Sequence, residues 1–152
     1  MARGDVKLFA AFDKVAKGGI SFNLGSDTLK LGIVTAATVP GVGTNDPRWG
    51  ALGTTDFSAN QVATSSNYTG PITLGSVTWT RTAGVVTLDF ADVTVTIDAA
   101  GFTDGYYAII YDDTVAGKYA IGYIDLGGPI SLIAASLVIT VNASGFSADT
   151  AS

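Results

Sequence analysis

The sequence predicts an all-β domain, mainly antiparallel, folded as a sandwich or a barrel-like sheet with one short helix at the N-terminal end. Three observations lead to this prediction. From Ile20 onward, apolar and polar residues alternate in short runs. Turn-forming Gly, Asn, Asp and Ser separate these runs, mostly at intervals of about 8–12 residues. Thr and Val, which favour strands, are abundant, and the 152 residues fit one domain.

The first element is predicted to be a short amphipathic helix over residues 5–17. Apolar side chains recur there near helical spacing, at Val6, Phe9, Phe12 and Val15. Gly18-Gly19 follows and is expected to end the helix. A strand is the alternative, because residues 7–12 fit either pattern.

About nine strands are predicted after the helix. They cover residues 29–35, 72–74, 77–81, 85–90, 93–98, 106–111, 118–126, 130–133 and 137–141. Residues 112–117 are expected to close a hairpin, and Gly127-Gly128-Pro129 to break the chain. A polar stretch at about residues 145–152 is expected to be a flexible tail of the single domain, residues 1–152.

A long irregular excursion, residues 37–68, separates the first predicted strand from the second. It is rich in Gly, Pro, Ser, Thr, Asn and Asp, and segments of this length in compact domains are usually functional or interfacial. Trp49, Leu52 and Phe57 lie within it, and apolar side chains of this size indicate that the segment packs on something. We therefore expect the excursion to form a partner interface through these three residues.

The composition excludes most catalytic and nucleic-acid-binding chemistry. The chain holds no His and no Cys, the usual proton-transfer group, soft metal ligand and strongest nucleophile. We expect no enzymatic activity and assign no catalytic, cofactor-binding or metal-binding residue. A net charge of −5 argues against a nucleic-acid partner, and no apolar run reaches the roughly 18 residues of a membrane span. The mean hydropathy of +0.40 predicts an oligomer or an assembly subunit, with an unusually apolar monomer as the alternative.

Two groups of side chains have alternative interpretations. Asp112, Asp113 and Asp125 would approach one another in a hairpin and carry the oxygen ligands that Ca²⁺ prefers. They lack the spacing of a calcium-binding loop, so we expect turn hydrogen bonding instead. Five tyrosines on the same two strands are expected to form a cross-strand ladder, with a sugar-binding platform as the alternative; they are Tyr106, Tyr107, Tyr111, Tyr119 and Tyr123.

The order of several short motifs resembles a family of small virion structural proteins of tailed bacteriophages. The motifs are Asp27-Thr-Leu-Lys-Leu-Gly-Ile-Val-Thr35, Asp56-Phe-Ser-Ala-Asn-Gln-Val62, Gly75-Ser-Val-Thr-Trp-Thr80, Phe90-Ala-Asp-Val-Thr94, Tyr107-Ala-Ile-Ile-Tyr-Asp-Asp113 and Ile121-Gly-Tyr-Ile-Asp-Leu-Gly127. Together they span roughly residues 6–145. The specificity comes from their order, since no single motif is distinctive.

The resemblance implies a particle component without catalytic residues. We expect a capsid decoration (cement) protein that is made in the host cytoplasm and binds the outside of the head. Its partners would be the major capsid protein and further copies of itself, as a homotrimer. The alternative is a tail, fibre or head-spike subunit that binds a host glycan. A small non-viral carbohydrate-binding module is a third hypothesis.

Overall fold

The structure is a computed structural model that describes residues 6–83, 85–141 and 146–149. Its strands confirm the predicted all-β class with one short N-terminal helix. In chain order they are β1 (Val6–Leu8), β2 (Leu29–Val34), β3 (Pro47–Arg48), β4 (Thr55–Asp56), β5 (Ile72–Thr73), β6 (Thr78–Thr82), β7 (Val85–Asp89), β8 (Val93–Val95), β9 (Gly105–Asp112), β10 (Ala120–Ile130), β11 (Leu137–Ile139) and β12 (Phe146–Asp149). The helix α1 spans Ala10–Lys17, and a 3₁₀ turn spans Ser58–Asn60.

A five-stranded antiparallel sheet in the order β1-β10-β9-β2-β5 forms the centre of the described fold. Its two inner pairings are the longest, and β2 pairs with β9 so that Gly32 lies opposite Ile109. The smaller sheets are β12-β7-β6 and β11-β8, both antiparallel, and the short parallel pair β3-β4. This arrangement is sandwich-like, since strands of the smaller sheets cover the central sheet.

Both faces of the central sheet are buried. On one face, side chains of β2 and β9 pack against those of β7, β8 and β11 in the larger core cluster; these are Leu31, Ile33, Ala108, Ile110, Leu88, Val93, Val95, Leu137 and Ile139. On the other face lies a second cluster: Phe9, Val34, Trp49, Phe57, Ile109, Tyr111, Ala120 and Tyr123. Strands covered on both faces have continuous apolar runs instead of alternation. This explains why residues 108–112 are all buried.

The N-terminal segment combines the two predicted alternatives. Residues 6–8 form β1, which pairs with β10 and places Leu8 opposite Gly122. The helix then begins at Ala10 and ends at Lys17, and the N–H of the following Gly18 donates to the Lys14 carbonyl at 3.0 Å. The predicted start at residue 5 is therefore wrong. The edge of β10 accepts a strand here because Gly122 has no side chain, and a Cβ on it would lie 2.8 Å from the Lys7 carbonyl oxygen.

The predicted break at Gly127-Gly128-Pro129 is also wrong, because β10 continues to Ile130. The pairing with β9 shifts between Asp125 and Ile130, which is a β-bulge. Gly127 and Gly128 have φ values of +82° and +119°, which only glycine adopts readily. The two glycines thus bend the strand without ending it.

The expected flexible tail differs from the structure at residues 146–149. These residues form β12, in which Phe146 lies opposite Leu88 and Asp149 opposite Val85. The pairing satisfies the edge of β7 that β6 does not cover. Residues 142–145 and 150–152 lie outside the described part of the chain.

Within the described ranges, no helix is long and apolar enough to cross a membrane.

Candidate partner interface

Trp49, the first residue predicted to meet a partner, lies inside the protein. Its side chain is 8% exposed and its indole stacks on the ring of Tyr111, with centroids 5.1 Å apart and planes at 3°. The indole lies flat on β2 because position 32 is glycine, and a methyl group there would overlap the ring. The backbone N–H of Trp49 donates to the Lys118 carbonyl at 3.0 Å.

Phe57, the second predicted contact, is fully buried at 0% exposure. Its ring lies 5.9 Å from that of Phe9, which in turn lies 5.2 Å from Tyr123. Its N–H donates to the Arg48 carbonyl at 3.0 Å. The prediction that Trp49 and Phe57 contact a partner is therefore wrong, since these side chains complete the second core cluster. Only Leu52, which is 52% exposed, remains available.

Leu52 lies on a turn, residues 50–54, whose two ends each donate a backbone hydrogen bond to a carboxylate. The Thr54 N–H donates to Asp46 Oδ2 at 3.2 Å, and the Gly50 N–H donates to Asp56 Oδ1 at 2.9 Å. Burial by itself would raise the pKa of Asp56, but hydrogen bonds from Ser58 and from the Gly50 N–H hold that pKa below its usual value. Asp56 is therefore ionised near neutral pH, and the turn keeps this anchor.

Arg48 connects the base of the same turn to the loop between β9 and β10. Its Nε donates to Asp46 Oδ1 at 2.7 Å, and its Nη1 donates to the Gly117 carbonyl at 3.0 Å. The guanidinium also lies 3.7 Å from the ring centroid of Tyr119, which is a cation–π contact. The base of the turn is thus fixed, while Leu52 at its tip is open to solvent.

Further exposed apolar side chains lie on the excursion, residues 37–68. Val39 is 64% exposed and Val42 is 53% exposed. The backbone beside them is held, because the Val42 carbonyl accepts the Ala10 N–H at 2.9 Å and Asn60 Nδ2 donates to Thr38 Oγ1 at 2.8 Å. We take Val39, Val42 and Leu52 together as the candidate interface residues.

Two of the three aspartates expected to accept hydrogen bonds from turn backbone do so. Asp112 Oδ1 accepts the Thr114 N–H at 2.9 Å, and Asp125 Oδ1 accepts the Gly127 N–H at 2.9 Å. Asp113 forms ion pairs with Lys118 and with Lys30, and their hydrogen bonds hold the pKa of Asp113 below its usual value. Among the described residues, no three acidic side chains come together as a set of metal ligands.

The five tyrosines do not form one exposed platform. Tyr111 and Tyr123 are buried in the second core cluster, while Tyr119 lies half-buried beneath Arg48. Tyr106 and Tyr107 are half-buried, with ring centroids 6.4 Å apart. An exposed aromatic side chain lies instead on β6, where Trp79 is 43% exposed between the exposed Thr78 and Thr80.

The sequence offers no clear signal for that exposure, because the flanking Thr78 and Thr80 point to the opposite face of a strand from Trp79. Searches with this chain matched no protein-family model, no curated protein and no solved structure.

Proposed function

We propose that this chain is a capsid decoration (cement) protein of a tailed bacteriophage, which binds the outside of the head and stabilises the shell. One observation supports this function best. The excursion presents exposed apolar side chains, Val39, Val42 and Leu52, on a backbone that buried aromatic residues fix to the central sheet. The order of the sequence motifs, which resembles small virion proteins, agrees with it.

A rigid surface of this kind suits permanent docking. Association costs less free energy when the contacting backbone is already ordered. Apolar side chains at the centre of an interface then contribute most of the binding energy, and charged residues are depleted there. The turn around Leu52 has an ordered backbone and presents an apolar side chain. The charges nearest to it, those of Asp46 and Arg48, are paired with each other at the base of the turn.

The proposed partners are the major capsid protein and two further copies of this chain. A single small contact binds weakly, but three linked contacts reinforce one another through their effective concentration. A homotrimer that docks at several points would therefore hold neighbouring capsid subunits together. Its place would be the exterior of the virion.

The interface is tested by charge substitution at the tip of the turn. Leu52→Asp should abolish incorporation into particles, because a buried unpaired carboxylate opposes docking. Ile133→Asp is the matched control, since Ile133 is an aliphatic residue of similar exposure, 46%, outside the excursion. Both variants should fold, as circular dichroism would verify. Wild-type incorporation of Leu52→Asp would contradict the proposed interface.

The function itself is tested with particles that lack the protein. They should assemble and adsorb to host cells normally, but release their genome at a lower temperature than complete particles. Normal heat stability together with lost adsorption would contradict the cement function. It would favour the second candidate, a tail, fibre or head-spike subunit that binds a host glycan.

That second candidate has one specific observation in its favour. The exposed indole of Trp79 on β6 offers a flat apolar surface of the kind that stacks on sugar rings. If it binds glycan, Trp79→Ala should reduce adsorption and leave incorporation unchanged. If the protein is cement, the same variant should adsorb like the wild type.

A further inference from the structure

Asp112 is a fully buried carboxyl group whose two oxygens have different surroundings. It is the last residue of β9 and is 0% exposed. Its Oδ1 accepts the N–H groups of Thr114 at 2.9 Å and Val115 at 3.1 Å. Its Oδ2 is buried, and no N–H or hydroxyl group of the described residues donates to it. A buried carboxylate oxygen without a donor is costly, so this oxygen favours a bound proton.

The side chain that faces Asp112 is a second carboxyl group, that of Asp27. The chain enters β2 just after Asp27, and Leu29 lies opposite Asp112 in the sheet. Two hydrogen bonds hold the segments together: Asp113 N–H to the Thr28 carbonyl at 2.9 Å, and Thr28 N–H to Thr114 Oγ1 at 2.8 Å. The carboxyl groups of Asp112 and Asp27 thereby come within hydrogen-bonding reach of each other. Two carboxyl groups can share a hydrogen bond only when one of them carries a proton.

The electrostatic surroundings favour the protonated form of Asp112. Burial is the main cause, and with the hydrogen bond and negative charge of Asp27 it raises the pKa of Asp112 to about 6, although the N–H groups of Val115 and Thr114 oppose this rise. The other charged or titratable groups nearby are Asp113, Lys30, Lys118, Tyr111 and Tyr119. Asp113 forms its own ion pairs with the two lysines, so these cations do not neutralise Asp112.

We propose that Asp112 and Asp27 form a proton-sharing carboxyl pair that joins the turn after β9 to the turn before β2, and that this pair opens when its proton is lost. Each carboxyl group also anchors its own turn. Asp112 accepts the N–H groups of Thr114 and Val115, while Asp27 Oδ2 accepts the Asn23 N–H at 2.7 Å. Loss of the proton leaves two adjacent carboxylates that repel each other. The inference does not depend on the proposed function.

The opening would reach the candidate interface through two contacts. The turn after β9, residues 112–118, supplies the Lys118 carbonyl that accepts the Trp49 N–H and the Gly117 carbonyl that accepts Arg48 Nη1. Both contacts hold the base of the excursion. The carboxyl pair is therefore a pH-sensitive support behind the surface that carries Leu52.

The direction of the pH dependence follows from the proton. The folded protein holds the proton more tightly than the unfolded chain, whose aspartates have a pKa of 3.8. The stabilisation is therefore fully present in acid and is lost as the pH rises from about 4 to about 6. Each tenfold increase in proton affinity of the folded protein over the unfolded chain shifts the unfolding equilibrium by roughly tenfold across this pH range. We therefore expect this equilibrium to change by about ten- to hundredfold across the pH range.

The test compares Asp112→Asn with the wild type. Asparagine keeps an oxygen for the Thr114 and Val115 N–H groups, and its amide permanently donates to Asp27 in place of the proton. The unfolding equilibrium of this variant should lack the loss of stability that the wild type shows between about pH 4 and pH 6. Asp125→Asn is the control, because it makes the same change at a carboxylate that accepts a backbone N–H, from Gly127. It should follow the wild type.

A direct titration makes the test independent of whether the variant folds. The side-chain carboxyl carbon of Asp112, followed by NMR in the wild-type protein, should titrate with a midpoint of about 6. A midpoint at or below about 4, the range of an ordinary aspartate, would overturn the proposal. Parallel pH profiles for folded Asp112→Asn and wild type would also overturn it.

Discussion

The indole of Trp49 lies parallel to the phenol ring of Tyr111, with the ring centroids 5.1 Å apart. This stack joins an irregular segment to the central strand β9. A residue of the excursion thereby becomes part of the core, and the segment has a fixed position although it contains little regular secondary structure. The separation between a buried Trp49 and an exposed Leu52 leads to the first prediction.

Trp49→Ala should destabilise the protein by about 3–5 kcal/mol, because it removes a large buried ring and leaves a cavity on the face of the central sheet, over Gly32 and Tyr111. Leu52→Ala should change the free energy of unfolding by less than about 0.5 kcal/mol, as exposed positions do. Urea unfolding monitored by circular dichroism measures both values. Equal effects of the two substitutions would mean that Trp49 is not packed as described.

Tyr68→Phe should cost about 1–3 kcal/mol, because it leaves a buried N–H without an acceptor. The Tyr68 hydroxyl oxygen accepts the Ile33 N–H at 2.9 Å, and the ring is 1% exposed. Burial raises the pKa of Tyr68 to about 12, so the hydroxyl remains protonated at neutral pH. Tyr106→Phe at a half-buried tyrosine is the control, and its effect should be small. Similar losses in both variants would contradict a specific role of the hydrogen bond.

Arg48→Lys should destabilise the protein by about 1 kcal/mol or more. An ammonium group cannot cover the Tyr119 ring while it also bonds Asp46 and the Gly117 carbonyl, since it lacks the planar fork of the guanidinium. Lys17→Ala is the comparison, because the ion pair of Lys17 with Asp13 is exposed on the helix and should contribute little. Thermal unfolding at low and moderate salt would detect the difference. If Arg48→Lys left the stability unchanged, a positive charge alone would suffice at this position.

Chelation with EDTA should leave the melting temperature unchanged. The oxygens of Asp113 are paired with Lys30 and Lys118, and Asp125 Oδ1 accepts the Gly127 N–H. A calcium ion would have to displace these partners. Scanning calorimetry with and without added Ca²⁺ measures the effect, and a shift of several degrees would restore the calcium interpretation of these aspartates.

Local signals in the sequence predicted most strands but not how the strands continue or end. The bounds of β2 and β9 follow from apolar runs and flanking turn residues, so they were predicted to within one or two residues. β1 and β12 are short, and each exists because a distant strand has a free edge. Gly127-Gly128 indicates a break when the sequence is considered alone. In the structure, pairing with β9 resumes after the two glycines, so they form a bulge.

The partner interface itself stays a prediction, and of the three side chains that the sequence suggested for it only Leu52 is exposed. A large apolar residue in a loop indicates packing, but the residue itself does not tell whether the protein or a partner provides the contact. For Trp49 the missing information lay at Gly32, a small residue among the otherwise apolar buried positions of β2. For Leu52 no such gap exists in the described structure, and the side chain is exposed.

The Trp49 indole fills the space that a side chain at position 32 would need. This restricts the order in which substitutions at the two positions can arise during evolution. A side chain at position 32 cannot be accommodated while the indole lies on it, so Trp49 has to become smaller first. The intermediate then has a cavity in its core and reduced stability. A lineage can leave the Gly–Trp pair only through this weakened state, and the two positions should therefore be inherited together.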